Sequence, residues 1–233
     1  YAPGELERFW RIAATPHPSS PAQIRAAVAI DCEMGEAATG DSELLRVTLV
    51  DYFTSEVLVD SLVFPAVAMR DLRTRFSGVT WAALHDARRR RACLLGRDSA
   101  RRAVWAFVGP DTVVVGHSAN HDLLALRWAH TTVVDTVHLE ALRPRDPAAA
   151  KGEGADEEST VSAEPKGGSD GGPEAVQEQK GTPRRASPMS LKRLALERLG
   201  RNIQASGKRG HDSLEDAIAA RDLARWVVLS AGN

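Results

Sequence analysis

Cysteine is scarce in this sequence: only Cys32 and Cys93 occur. Two thiols make no disulfide framework, fit a reducing compartment and exclude a metal site built from cysteines. Long apolar runs are missing as well. None approaches the roughly 20 residues that a helix needs to span a bilayer, so no membrane association is expected. Tyr1 to Trp10 is polar and acidic where a secretory leader would be charged and then apolar, so no leader is expected there. The start at Tyr in place of Met leaves a removed targeting segment open. An excess of one charge sign is also absent, because 30 Lys and Arg face 31 Asp and Glu for a net charge of −1. Taken at face value, that balance argues against a nucleic-acid partner. What is present is ordinary globular composition, 43% hydrophobic and 26% charged over 233 residues, enough for one sizeable core.

The charge average conceals a division. Residues 151–185 carry eight acidic and five basic side chains, so they contribute −3 and the remainder sums to +2. That remainder holds 23 of the 25 arginines, including the run Arg88 to Arg91. Arginine is the preferred phosphate partner because its planar fork donates two parallel hydrogen bonds, although a solvated helix face explains any single one equally well. Charge therefore permits nucleic acid without demonstrating it. From about Pro144 to Pro188 the chain is mostly Ala, Gly, Glu, Ser and Pro with hardly a large apolar residue. Such a segment cannot bury enough surface to offset its ordering entropy, so a disordered insertion is expected there. Residues 1–25 then form an N-terminal extension, and residues 26–230 one domain interrupted at about 144–188.

The rest alternates strands and helices. Ala27 to Cys32 is a continuous apolar run, as a central strand requires. Leu44 to Tyr52 and Val57 to Phe64 read as a hairpin around Thr54-Ser55. Helices are expected over Thr80 to Leu95, Ser99 to Val108, Asn120 to Ala129, Ser190 to Leu199 and Ser213 to Leu229, with strands at Thr112 to Val115 and Thr132 to Val134. Gly200 suits a left-handed cap, and Ser213 with Asp216 resembles a capping box shortened to Asp. This order indicates an α/β layered domain with a mixed sheet.

Three segments carry chemistry. Asp31 and Glu33 close the first strand and, by alternation, project to one face while Cys32 points into the core. Two like charges side by side repel unless a cation lies between them, and oxygen ligands suit Mg²⁺ or Mn²⁺. Gly116-His117-Ser118-Ala119-Asn120-His121-Asp122 follows a buried strand and opens a helix, where α/β sheets usually place function. His211 lies in a glycine-containing loop ahead of the last helix, and Asp216 is one turn inside it, as a general base beside a metal ligand would need. Each segment alone has an ordinary alternative: exposed acids at a strand end, or acids favoured by a helix dipole beside a solvated His.

Together, Asp-x-Glu, Gly-His-x4-Asp and His-x4-Asp in this order resemble the three exonuclease motifs of the DEDDh family. Ala29-Ile30-Asp31-Cys32-Glu33-Met34-Gly35 is similar to the Rex-type RNA exonuclease branch of that family. Arg73 to Thr80, Val134-Asp135-Thr136, Ser190-Leu191-Lys192, Leu199-Gly200 and Ile203-Gln204 match the same branch. The resemblance covers roughly residues 26 to 226 apart from the insertion. Ala119 departs from it, standing where a larger aliphatic residue is more usual, with looser packing expected behind Asp122.

This resemblance implies a ribonuclease-H-like mixed sheet flanked by helices and a 3′-to-5′ exonuclease working with two Mg²⁺ or Mn²⁺ ions. Asp31 would bridge both ions, Glu33 and Asp216 would complete the tighter site, and Asp122 would hold the second ion. His211 would take the proton from the attacking water. Met34 would meet the terminal nucleotide, and His117 and Asn120 would line the sugar-phosphate path, although a packing role is open for each of these three. The implied partner is single-stranded RNA with a free 3′ end, since a terminal nucleotide must be splayed into the pocket. DNA stays open as a substrate, as does a non-catalytic nucleic-acid-binding module of the same fold. Thr182-Pro183 and Ser187-Pro188 beside Arg184-Arg185 suit phosphorylation, yet a tolerated loop is the simpler account of the insertion, and deletion of residues 148–182 is then expected to spare activity. The resemblance leans towards a nuclear protein.

Overall fold

The computed structural model describes residues 12–18, 20–143, 189–205 and 210–230. The chain divides into two units, Tyr1–Leu142 with Ser187–Asn233, and Arg143–Ala186. The segment expected to be disordered, 144–188, lies outside the described residues.

Strand β2 (Ala27–Ala37) is the centre of the molecule. It pairs antiparallel with β3 (Ser42–Asp51), which pairs antiparallel with β4 (Val57–Phe64), so the expected hairpin forms. On its other side β2 runs parallel to β7 (Val113–Gly116), which runs parallel to β9 (Val133–Asp135). The short β5 (Met69–Asp71) joins the far end of β2, and β6 (Leu94–Leu95) joins β4. Among the described residues this makes a seven-stranded mixed sheet in the order β6-β4-β3-β2-β7-β9, with β5 off that path. A separate parallel pair links β1 (Ala13–Ala14) to β8 (Trp128–Ala129). Part of the expected N-terminal extension thus packs on the domain, where Thr15 Oγ1 accepts a 2.7 Å hydrogen bond from Trp128 Nε1.

The helices are α1 (Thr74–Ser77), α2 (Trp81–Arg89), α3 (Gly96–Trp105), α4 (Ala119–Ala125), α5 (Thr136–Ala141), α6 (Leu191–Leu199) and α7 (Ser213–Ser230). Among the described residues none is long and apolar enough to cross a membrane. Alternation along β2 sorts the layers. Val28, Ile30 and Cys32 enter a core with Ala100 and Val104 of α3 and Ala125 of α4, while Ala29 faces Ala217 and Ala224 of α7. Fully burying a residue such as Ile30 contributes about 1.5–3 kcal/mol. The small residues on the other face let α7 lie close against β2.

Several boundaries differ from the sequence expectation. The first strand continues past Cys32 to Ala37, so Asp31 and Glu33 sit mid-strand, just before a register shift between Glu33 and Met34. That irregularity leaves consecutive Leu44 and Leu45 both buried, in two different cores. The helix expected through Leu95 ends at Arg89, because Arg91 turns left-handed (φ 56°) and Leu94–Leu95 pairs with Val63–Phe64. The helix expected over Ser99 to Val108 occupies Gly96–Trp105 instead. Arg127 (φ 49°) stops α4 in the same way, freeing Trp128–Ala129 to pair with β1. Gly200 caps α6 at φ 63°, as expected. Ser213 does not close a capping box: its hydroxyl pairs with Thr48 Oγ1 at 2.7 Å, and Asp212 Oδ1 accepts the Leu214 N–H at 3.1 Å instead.

Candidate active site

Three elements deliver the carboxylates of the site. Asp31 and Glu33 project from β2 on the face that carries α7, Asp122 lies in the first turn of α4, and Asp216 in the first turn of α7. The turn into α4 is tightly built. A Cβ on Gly116 would come within 2.8 Å of the Ala119 Cβ, and Ala119 is fully buried, so the packing behind Asp122 is close, contrary to expectation. Asp135 braces this turn: its two carboxylate oxygens accept the N–H groups of Ser118 and Ala119, each at 2.9 Å. Asp122 is buried, and its Oδ1 accepts the Cys32 N–H at 2.9 Å, which locks α4 onto the strand between the two β2 acids.

The electrostatics are those of a cluster short of positive charge. Burial pushes the Asp31 carboxyl well above its ordinary value, and the charges of Asp122, Asp216 and Glu33 push it further. Burial followed by the Asp216 charge raises Glu33 to about 8, against a smaller opposing pull from Arg46. Asp122 is raised to about 8 by burial, with the Cys32 hydrogen bond opposing. Asp216 rises to about 6, again chiefly by burial. Asp216 Oδ2 accepts the Gln204 Nε2–H at 2.9 Å, whereas its buried Oδ1 has no hydrogen-bond partner among the described residues. One donor atom from each of Glu33, His211 and Asp216 lies within 4.8 Å of the other two. An orphaned buried carboxylate oxygen amid hard oxygen donors fits a divalent cation of the Mg²⁺ or Mn²⁺ kind.

His211 is held by its backbone, and its ring makes no hydrogen bond among the described residues. Its N–H donates to the Phe76 carbonyl at 2.7 Å, and its side chain is 43% exposed, with Nδ1 3.8 Å from Asp216 Oδ2. Gly210 before it adopts φ +78°, and a Cβ there would lie 2.1 Å from the Gly78 nitrogen, so only glycine seats the loop. Burial and then the Lys192 charge lower the imidazole pKa, favouring the neutral, proton-accepting form.

The structure therefore brings Asp31, Glu33, Asp122, Asp216 and His211 together. Met34, half-buried, follows Glu33 directly on the strand. His117 is engaged with Thr136 Oγ1 at 2.8 Å, and burial lowers its pKa. Asn120 is exposed on the first turn of α4. Sequence reasoning assigned no role to Gln204, Asp135 or Arg46, although the first two lie in segments that matched the family. Their part consists of bonds between distant segments, which spacing does not reveal.

No protein-family model matches the chain. Over 218 residues it is 33% identical to RNA exonuclease 3 of Emericella nidulans, covering 85% of this chain and 28% of that protein. It is 45% identical over 108 residues to the human RNA exonuclease 1 homolog, covering 46% of this chain and 8% of that protein. The chain thus spans well under half the length of these curated relatives. Among solved structures it resembles the Saccharomyces cerevisiae Pan2 pseudoubiquitin hydrolase–RNA exonuclease module in complex with AAGGA RNA. That match has a TM-score of 0.58 and 22% identity, and covers 92% of this chain and 30% of that one. At this identity the likeness shows the fold alone, a ribonuclease-H-like mixed sheet flanked by helices.

Proposed function

The chain belongs to the Rex-type branch of the DEDDh exonucleases, and from that premise we propose that it hydrolyses phosphodiester bonds of single-stranded RNA one nucleotide at a time from the 3′ end. The observation that carries this reading is the convergence of four carboxylates and one neutral-leaning imidazole from three distant segments. Asp31, Glu33 and Asp216 would hold one divalent cation, and Asp31 with Asp122 a second. Bound there, the cations would make a water nucleophilic near neutral pH and stabilise charge on the leaving 3′-oxygen. His211 accepts the proton of the attacking water. With Nδ1 turned towards Asp216, its Nε2 is the atom left to receive it. Met34 meets the terminal nucleotide, and His117 and Asn120 border the strand entering the site. RNA is favoured by the names of the relatives and by the RNA bound to the Pan2 module. A role in RNA processing or turnover, in the nucleus, fits this reading, with residues 26–230 forming the exonuclease domain.

The direct experiment supplies 5′-labelled single-stranded RNA and matching DNA with Mg²⁺ or Mn²⁺, and compares the wild type with Asp31→Ala and His211→Ala. A metal-dependent ladder shortening from the 3′ end, faster on RNA and lost in both variants, is the expected result. Faster cleavage of DNA would reassign the substrate. Retained RNA binding without cleavage would make the chain a binding module.

A further inference from the structure

Arg46 borders the carboxylate cluster and is its opposing charge. It sits on β3 directly across the ladder from Glu33, with 23% of its side chain exposed. Its Nε and Nη2 donate to Asp60 Oδ1 and Oδ2 at 2.9 and 3.0 Å, and its Nη1 lies 2.9 Å from Asp212 Oδ1. Asp212 stands between His211 and the first residue of α7. Its Oδ1 also accepts the Leu214 N–H, and its carbonyl accepts the Asp216 N–H at 3.0 Å. A second link runs alongside. Thr48 Oγ1 donates to Asp60 Oδ1 at 3.2 Å, so the buried 2.7 Å contact with Ser213 Oγ has Ser213 as donor. Both links tie the β3–β4 hairpin to the start of the helix that carries Asp216.

This frame stands beside open space. A cavity of about 530 Å³ is lined by Arg46, Asp60, Gly210, His211 and Asp212 among others. Water entering there competes for a single ion pair, and a guanidinium anchored through two nitrogens at Asp60 keeps its third nitrogen aimed at Asp212. A lysine has one point charge and cannot serve both acids with that geometry.

We propose that Arg46 is a positioning residue for the hydrolysis: acting through Asp212, it fixes the relation of His211 to Asp216 and keeps the Asp212 carboxylate out of the metal-binding set. The inference rests on the proposed exonuclease reading of the same site. Its test compares Arg46→Gln and Arg46→Lys in the full chain, with Arg102→Gln on α3 as a charge control. Arg46→Gln is expected to lower kcat about 10- to 100-fold with KM within about twofold of wild type. Arg46→Lys should recover part of the loss, and Arg102→Gln should match wild type. In metal-free protein without RNA, Arg46→Gln should speed amide exchange of Leu214 and Asp216 about tenfold while Val28 and Ile30 stay protected. An unaltered kcat, a loss carried by KM alone, or unaltered exchange at Leu214 and Asp216 overturns the proposal. A wild-type chain that cleaves nothing overturns the hydrolytic reading instead, and the exchange result still decides whether Arg46 holds this helix start.

Discussion

Two buried acidic regions of this molecule meet the same physical problem and answer it differently. Glu43, on β3, is 5% exposed, and burial raises its pKa, but Arg97 lies in contact and pulls it back. Arg97 also donates to the Ser42 carbonyl at 3.2 Å, so the pair forms a charge-matched structural joint between β3 and α3, although Arg97 Nε has no hydrogen-bond partner among the described residues. The cluster of Asp31, Glu33, Asp122 and Asp216 holds four carboxylates within electrostatic reach, and Arg46, a guanidinium opposing Asp31 and Glu33, is already committed to Asp60 and Asp212. A buried acid supplied with its own counter-charge is part of the architecture. Buried acids left with an orphaned oxygen and raised pKa values demand a counter-charge from outside.

The sharpest break between the two regions comes from neutralising one acid in each. Asp31→Asn should lower kcat by at least about 100-fold, since a bound metal is worth several kcal/mol to the transition state. The same change removes a buried like charge, so the metal-free variant should melt at or above the wild-type temperature at pH 8. Glu43→Gln should do the opposite. It strands Arg97 in a low-dielectric setting at a cost of roughly 3 kcal/mol in stability, while kcat measured well below the melting transition stays near wild type. Thermal melts and initial rates on one RNA substrate read out both. If Asp31→Asn destabilised and Glu43→Gln inactivated, the distinction would collapse.

How far this contrast was legible beforehand depends on the range of the interaction. The common face of Asp31 and Glu33 follows from strand alternation, and Asp216 one turn beyond His211 follows from helix geometry, so the five principal residues could be named from local spacing and family motifs. The extension of β2 to Ala37 and the arrest of α2 before Leu94 could not, because pairing with β3, β5 and β4 overrides local preference. Arg46 reaches Asp212 only because the fold sets β3 against the start of α7, and Gln204 reaches Asp216 from 12 positions away, beyond the reach of helix or strand spacing. The Ser213 capping box failed because the helix already includes Ser213: the Asp216 N–H donates to the Asp212 carbonyl, and the Ser213 hydroxyl turns to Thr48 on a distant strand.

The comparison can also be sharpened with acid and metal. Glu33, Asp122 and Asp216 bind protons more tightly in the folded state, with values of about 8, about 8 and about 6 against roughly 4 for an unfolded carboxylate. The stability this confers is complete below the unfolded value and is lost as pH rises through about 6 and then about 8. Asp51, whose pKa is lowered by the N–H groups of Thr54 and Phe53 against the effect of burial, loses its contribution only at more acid pH, outside that window. In EDTA the protein should therefore melt at a lower temperature at pH 8 than at pH 5.5. Mg²⁺ or Mn²⁺ at 100 times its pH 8 dissociation constant should restore about 2.7 kcal/mol per site at pH 8, and the same concentration should restore less at pH 5.5, where protons compete. A melting temperature indifferent to both pH and cation would mean that the acids do not repel.

The smallest effect is expected from a neutral side chain that touches the cluster. Gln204 is pinned from three directions: its carbonyl accepts from Lys192 Nζ at 3.1 Å, its N–H donates to Glu215 Oε2 at 2.7 Å, and its amide reaches Asp216 Oδ2. It occupies one oxygen of Asp216 and so fixes which oxygen is left bare. Gln204→Met keeps the length of the side chain but removes the donor, freeing the carboxylate to rotate. That freedom should lower kcat about tenfold and weaken the response to cation by a similar factor, in line with groups that orient metal ligands from behind. The melting temperature in EDTA should move little, because the lost hydrogen bond is offset by relief from holding Asp216 in one orientation. Cation titrations of wild type and variant separate the two accounts. An unchanged titration curve would mean that packing within α7 alone orients Asp216, and the neutral neighbour would then belong with Glu43 and Arg97 among the structural joints.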